Sequence, residues 1–130
     1  MEKEPVLLLD SDILIEYLRG RSAAVRYLES LEGDLQLSAI TVAELFAGAK
    51  GDEEFAALGA AFHAFEVVPV TLEIARQGSL LRQLYRPSHG TGLADALIAA
   101  TAQAIQATLV TFNRKHFPML EKIEVPYSRG

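Results

Sequence analysis

Three acidic residues occupy apolar settings in this sequence. Asp10 closes the run Val6-Leu7-Leu8-Leu9, Glu44 lies between Val42, Ala43, Leu45 and Phe46, and Asp95 sits within Leu93-Ala94-Asp95-Ala96-Leu97-Ile98-Ala99-Ala100. A carboxylate buried without a partner is expensive, so three of them in such surroundings predict one shared cation. Brought within ~5 Å of each other, they would repel by about 3 kcal/mol per pair at an effective dielectric near 20, and without a counter-ion one would take up a proton. Mg2+ or Mn2+ suits the donor set, as a hard cation that prefers oxygen and keeps waters for chemistry. The leading expectation is a metal-dependent enzyme, with a hydrolytic nuclease first among the candidates.

Each acid also has a local reading. Asp10 and Asp12 flank Ser11 at a strand-to-helix junction, where either carboxylate would cap the helix and suit its dipole. Thr41-x-x-Glu44 matches a capping box. Asp95 is open to reading as a first-turn acid, with Thr91 or Gly92 as the cap. The three histidines, His63, His89 and His116, are far apart and none has a partner at metal-ligand spacing, which favours surface or interface roles. Among the cations, Arg114 and Lys115 follow a strand, and Arg82 and Arg86 are one helical turn apart. As a group they are candidate phosphate contacts.

These side chains need a scaffold, and the chain of 130 residues, half of them apolar, has material for one domain spanning 1–130. Val6 to Leu9 is short, apolar and unbroken, as a buried strand is, and Asp-Ser-Asp then starts a helix through Ile13 to Leu18. A second helix is expected over Ala23 to Leu31, a strand near Leu35 to Ser38, a third helix opening at Thr41, and another over Glu53 to Phe65. Val67 to Val70 is strand-like, and Thr71 starts a helix to about Tyr85. Arg86 to Gly92 is a loop by its Pro and Gly content, Leu93 to Gln106 a buried helix, and Thr108 to Thr111 and Ile123 to Val125 the last strands. Such alternation implies an α/β fold with a parallel sheet of about five strands covered on both faces. Its ligand site belongs beyond the carboxyl ends of the strands, near the point where strand order reverses. Asp10 and Thr111 to Lys115 meet that condition.

The charged start Met1-Glu2-Lys3-Glu4-Pro5 and the brevity of the next apolar run fit neither a membrane span nor a secretory signal. A soluble cytoplasmic protein with no membrane association is expected. There is no cysteine, hence no disulfide, thiolate nucleophile or Cys-ligated zinc. A net charge of -5 weighs against a nucleic-acid partner, but it is unevenly spread: residues 1 to 66 carry 13 acids and 5 bases, and residues 67 to 130 carry 4 acids and 7 bases. A bound cation would further reduce the repulsion where it matters.

Four blocks carry a resemblance: Leu7-Leu8-Leu9-Asp10-Ser11-Asp12-Ile13-Leu14-Ile15, Thr41-Val42-Ala43-Glu44-Leu45-Phe46-Ala47-Gly48, Gly92-Leu93-Ala94-Asp95-Ala96-Leu97-Ile98-Ala99-Ala100-Thr101-Ala102, and Thr111-Phe112-Asn113-Arg114-Lys115-His116-Phe117. In this order, and over almost the whole chain, they resemble PIN-domain ribonucleases, and most closely the VapC-type toxins of type II toxin-antitoxin pairs. The resemblance implies a three-layer α/β/α sandwich, often homodimeric, with an acidic pocket for Mg2+ or Mn2+. Asp10, Glu44 and Asp95 fall on the family's metal-site acids. The fourth acidic position departs from the pattern. Many relatives have Asp at the place of Asn113, or an acid where His116 stands, which leaves open whether one metal or two are bound. A small VapB-type antitoxin is the implied protein partner.

The expected reaction is hydrolysis of an RNA phosphodiester. Asp10 and Asp95 hold the metal, Glu44 holds it directly or through water, and Asn113 completes the shell; Asp12, Ser11 and Thr111 are possible additional site residues. In-line attack by water would leave a 5'-phosphate and a 3'-hydroxyl. Two alternatives remain: a degenerate PIN-like domain that binds RNA or protein without cutting, and a haloacid-dehalogenase-type phosphatase with Asp10 as nucleophile, Asp12 as acid/base and Lys115 as the required lysine.

Overall fold

In a computed structural model, residues 5–129 are described, and they form a five-stranded, wholly parallel sheet with helices on both faces. In chain order the elements are β1 (Val6–Leu9), α1 (Ser11–Leu18), α2 (Ser22–Ser30), β2 (Asp34–Ser38), α3 (Ala39–Ala47), α4 (Gly51–Phe62), β3 (Glu66–Val68), α5 (Leu72–His89), α6 (Leu93–Ala104), β4 (Thr108–Val110), a 3-10 turn (Arg114–His116) and β5 (Ile123–Glu124). Strand order across the sheet is β3-β2-β1-β4-β5. The chain grows outward from β1 through β2 and β3, then crosses to the other side of β1 for β4. The reversal therefore lies between β1 and β4, where Leu9 pairs with Val110.

The continuous apolar character of β1 follows from its being covered on both sides. Leu8 packs with Ile74 and Leu81 of α5, most of the buried face of α6, and Phe117. Leu7 and Leu9 point the other way, to Ile13, Leu14, Leu28, Leu45 and Phe62 of the first four helices. In β4, Leu109 and Val110 divide between the same two clusters. The α5–α6 pair is closely apposed: a Cβ placed on Gly78 would come within 2.6 Å of the Leu97 side chain and 3.1 Å of its Cα. Glycine is what lets the two helices approach there.

Two expected boundaries differ in instructive ways. The third helix begins at Ala39, because Ser38 caps it by accepting from the Ile40 amide at 3.0 Å, so Thr41 lies inside the helix and the Thr41–Glu44 capping box is not formed. The expected loop from Arg86 is helical as far as His89, with Pro87 inside the helix and Gly90, at φ 65°, ending it. The Gly90 amide still donates to the Arg86 carbonyl at 2.8 Å, which closes the last turn around the proline.

Candidate active site

Asp10 is 4 % exposed, at the carboxyl end of β1 and the reversal point of the sheet. Its amide continues the ladder by donating to the Val110 carbonyl at 2.9 Å. Its carboxylate serves two elements at once: Oδ1 accepts from the Ser11 amide at 2.8 Å, and Oδ2 accepts from the Thr111 hydroxyl at 2.8 Å. Capping and site membership are thus simultaneous properties of one side chain. Burial pushes its pKa up to about 7, helped by the charges of Asp12 and, less, Asp95, against the hydrogen bonds from Thr111 and Ser11.

Asp12 latches the turn that follows β4. Its Oδ2 accepts from the Phe112 amide at 3.0 Å and the Asn113 side-chain amide at 3.2 Å, and the Thr111 hydroxyl is also 3.2 Å away. The hydroxyl has one proton and lies nearer Asp10, while its oxygen accepts from the Asn113 amide at 3.0 Å. Burial lifts the Asp12 pKa above the usual range. Hydrogen bonds from Phe112, Ile13 and Thr111 and the nearby Arg129 charge pull it back. Asn113 is exposed and spends its side-chain donor on Asp12, so its observed contact orders this turn.

Glu44 and Asp95 complete the group from the helices, in settings more open than their sequence neighbours imply. A helix turns about 100° per residue, so Thr41 and Leu45 are buried while Glu44 between them is exposed. Desolvation and then the Asp95 charge raise the Glu44 pKa, and a hydrogen bond from the Ser11 hydroxyl lowers it. Asp95 lies in the first turn of α6, behind an N-cap, Gly92, that has no side chain to offer, and its side chain is 29 % exposed. Desolvation raises its pKa against the charge and hydrogen bond of His116, whose Nδ1 is 3.3 Å from Asp95 Oδ2. The expectation of two further acids in fully apolar settings is therefore corrected: only Asp10 is truly buried.

All four acids are shifted in the same direction, upward, and Asp10, Asp12, Glu44 and Asp95 are electrostatically linked. Oxygen donors that hold one another toward protonation fit a hard divalent cation. Among the described residues, however, no three Asp, Glu or His side chains are disposed to hold an ion directly. The fit is therefore to an ion held by one or two carboxylates and otherwise by water, as magnesium usually is.

Of the expected phosphate contacts, Arg114 and Lys115 are exposed and share the 3-10 turn with His116, anchored behind by Phe117 at 1 % exposure. Arg82 stands within α5 and Arg86 in its last turn, with no described contact to the acids. His116 is exposed, as expected of a surface residue, and its Nδ1 also faces Asp95 of α6. One neighbour of the site escaped the sequence reading. Arg129 lies 4.0 Å over the Phe112 ring, in a tail carrying no motif. Glu44 also lines a cleft of about 570 Å³ between α1, α3 and α4, with Ile15, Leu18, Leu45 and Leu58.

Known proteins resemble this chain along nearly its whole length. The PIN domain profile matches residues 7–122. Ribonuclease VapC10 of Mycobacterium tuberculosis is 40 % identical over 126 residues, covering 95 % of this chain and 94 % of its own. Ribonuclease VapC19 of the same organism is 41 % identical over 124 residues, covering 92 % and 98 %. A solved toxin-antitoxin complex from Klebsiella pneumoniae superposes with a TM-score of 0.80 at 32 % identity, over 93 % of this chain and 98 % of that one.

Proposed function

Since this chain belongs to the PIN-domain family, among its VapC ribonucleases, we propose that it is a divalent-metal-dependent endoribonuclease and the toxin of a VapBC-type pair. The observation that carries the reading is Asp10: a carboxylate 4 % exposed at the sheet's reversal point, held near pKa 7 by burial and by neighbouring carboxylates. Burial and like-charge repulsion both weigh against an ionised Asp10, and a cation relieves both.

Asp10 and Asp95 would hold the ion, with Glu44 reaching it through water; Mg2+ or Mn2+ is the expected metal. When bound, the ion activates water and stabilises the charge that builds on the phosphoryl oxygens. The chain's own residues supply position. Thr111 fixes the Asp10 rotamer, Ser11 ties Glu44 to the start of α1, and His116 braces Asp95. Asp12 and Asn113 keep the 111–113 turn closed over β4. In-line attack leaves a 5'-phosphate and a 3'-hydroxyl. The phosphatase alternative is less well supported, because the charges acting on Asp10 are those of Asp12 and Asp95, with no lysine among them.

The Klebsiella relative was solved as a toxin-antitoxin complex, which supports a VapB-type antitoxin as partner. The cleft that Glu44 lines, apolar at Ile15, Leu18, Leu45 and Leu58 and charged at Arg19, Lys50 and Glu54, would suit an amphipathic antitoxin tail. A homodimer and a cytoplasmic setting complete the proposal. Among the described residues, no helix is long and apolar enough to cross a membrane.

The test is end-mapped sequencing of total cellular RNA incubated with purified protein in Mg2+ or Mn2+, beside EDTA and Asp95→Asn controls. The expected result is discrete cuts with 5'-phosphates, absent from both controls. Products ending in 2',3'-cyclic phosphate would overturn the mechanism, and RNA left equally intact by wild type and variant would favour a non-cutting PIN-like binding domain.

A further inference from the structure

An acidic pocket is a poor receptor for a polyanion unless cations border it. Among the described residues, two basic groups act on these acids: His116, when protonated, on Asp95, and Arg129 on Asp12. His116 has a partner in Asp95. No carboxylate among the described residues lies within ion-pair distance of Arg129.

The position of Arg129 is built by the segment that follows β5. The Thr111 amide donates to the Glu124 carbonyl at 3.1 Å, so the chain leaves the sheet beside the site turn. Tyr27 donates its hydroxyl to the Glu124 carboxylate. Tyr127 then packs edge-on against Tyr27, with centroids 6.1 Å apart, and against Phe112 at 5.1 Å. This bracket returns the tail to the site, where the Arg129 guanidinium carbon lies 4.0 Å from the centre of the Phe112 ring. The backbone amide of the same Phe112 is bonded to Asp12. Contact with an aromatic face orients a guanidinium without consuming any of its N–H donors. Arginine keeps its charge at every relevant pH and binds phosphate oxygens in pairs.

We propose that Arg129, carried to the pocket by the Tyr127–Phe112 bracket, is a phosphate-binding residue for the RNA strand, gripping the backbone beside Asp12. The assignment rests on the ribonuclease reading. It adds a determinant of substrate affinity in a part of the chain that lies beyond the matched domain profile, residues 7–122. Arg129 binds substrate and performs no proton or metal chemistry.

The test uses the full chain as wild type, Arg129→Ala and Arg129→Lys. Binding of a fluorescein-labelled, mixed-sequence single-stranded RNA of 20 nucleotides is followed by anisotropy in EDTA across a KCl series, and cleavage of the same RNA is timed in Mn2+. For Arg129→Ala the expected result is a rise in Kd and KM on the order of tenfold, with kcat within about twofold of wild type. The slope of log K against log salt should become shallower by about 0.7, the increment for one phosphate on a single strand. Arg129→Lys should keep the wild-type slope and recover only part of the affinity, because it loses the planar contact with Phe112. A lower Tm with unchanged KM and salt slope would reduce Arg129 to a staple for the tail and overturn the assignment. Tighter binding in Arg129→Ala would overturn it too, by making the tail an obstruction. Wild-type protein that cuts RNA while the variants match it refutes Arg129 alone, whereas wild type that neither binds nor cuts refutes the ribonuclease reading and this assignment with it.

Discussion

Replacing Asp10 with Asn should make the metal-free protein more stable at pH 8 and less stable at pH 4. In the folded state the Asp10 carboxyl titrates at about 7, against an ordinary value of 3.8. Between those values the folded chain holds a proton that the unfolded chain has released, so stability falls as pH rises through the window and levels off above it. Three units at ~1.4 kcal/mol each amount to about 4 kcal/mol lost by pH 8. The asparagine carbonyl still accepts from Thr111, but its NH2 group cannot accept from the Ser11 amide, a cost of about 1 kcal/mol. The net expectation is a gain on the order of 3 kcal/mol at pH 8 and a loss of about 1 kcal/mol at pH 4, with the two curves crossing between pH 4 and 5. Asp12, Glu44 and Asp95, whose pKa values are also raised, leave the variant a weaker slope of the same sign. Urea unfolding in EDTA at half-unit pH steps measures both curves. Parallel curves would refute the reasoning, since they would show that Asp10 is ionised at no special cost.

Two further outcomes follow from the same geometry. A hundredfold excess of Mg2+ or Mn2+ over its dissociation constant should stabilise the wild type by ~2.7 kcal/mol and Asp95→Asn by much less; a melting shift of equal size in the variant would place the ion elsewhere. Gly78→Ala gains about 1 kcal/mol of helix propensity but drives a methyl group into Leu97, an overpacking cost of about 1–3 kcal/mol. The expected result is a Tm lower by roughly 3–5 °C and slower cleavage, because Leu97 is two residues from Asp95 on α6; a raised Tm would show that the helices separate freely.

The scaffold was legible because burial on both faces leaves a plain signature. Val6 to Leu9 is a strand without alternation, and Ala96 to Ala102 is a helix with almost no polar face. Asp10 was legible for the same reason, as a charge at the end of a run that tolerates none. Glu44 and Asp95 were found through apolar neighbours that in fact point elsewhere. The structure brings both beside Asp10, while their expected burial did not hold. Thr41 misled the reading of the third helix because Ser38, a strand residue, also caps it. Pro87 marked a loop that hydrogen bonding around it does not require. The brace of His116 on Asp95 and the Arg129–Phe112 contact join segments with no shared periodicity. Contacts of that kind exist only in three dimensions.

The hydrogen bond from Thr111 to Asp10 spans 101 residues of sequence, and that separation becomes a delay during synthesis. β1 is made first and can pair with β2 as soon as Ser38 has emerged. Its other edge, the one that carries the site, must wait for β4. At roughly 5–20 residues per second, the interval between Ser38 and Thr111 is about 4 to 15 s. Through that interval Asp10 lacks its Thr111 partner, and for most of it the Asp95 helix as well. The site is therefore incomplete until Thr111 has followed Asp10 into the open, 101 residues later.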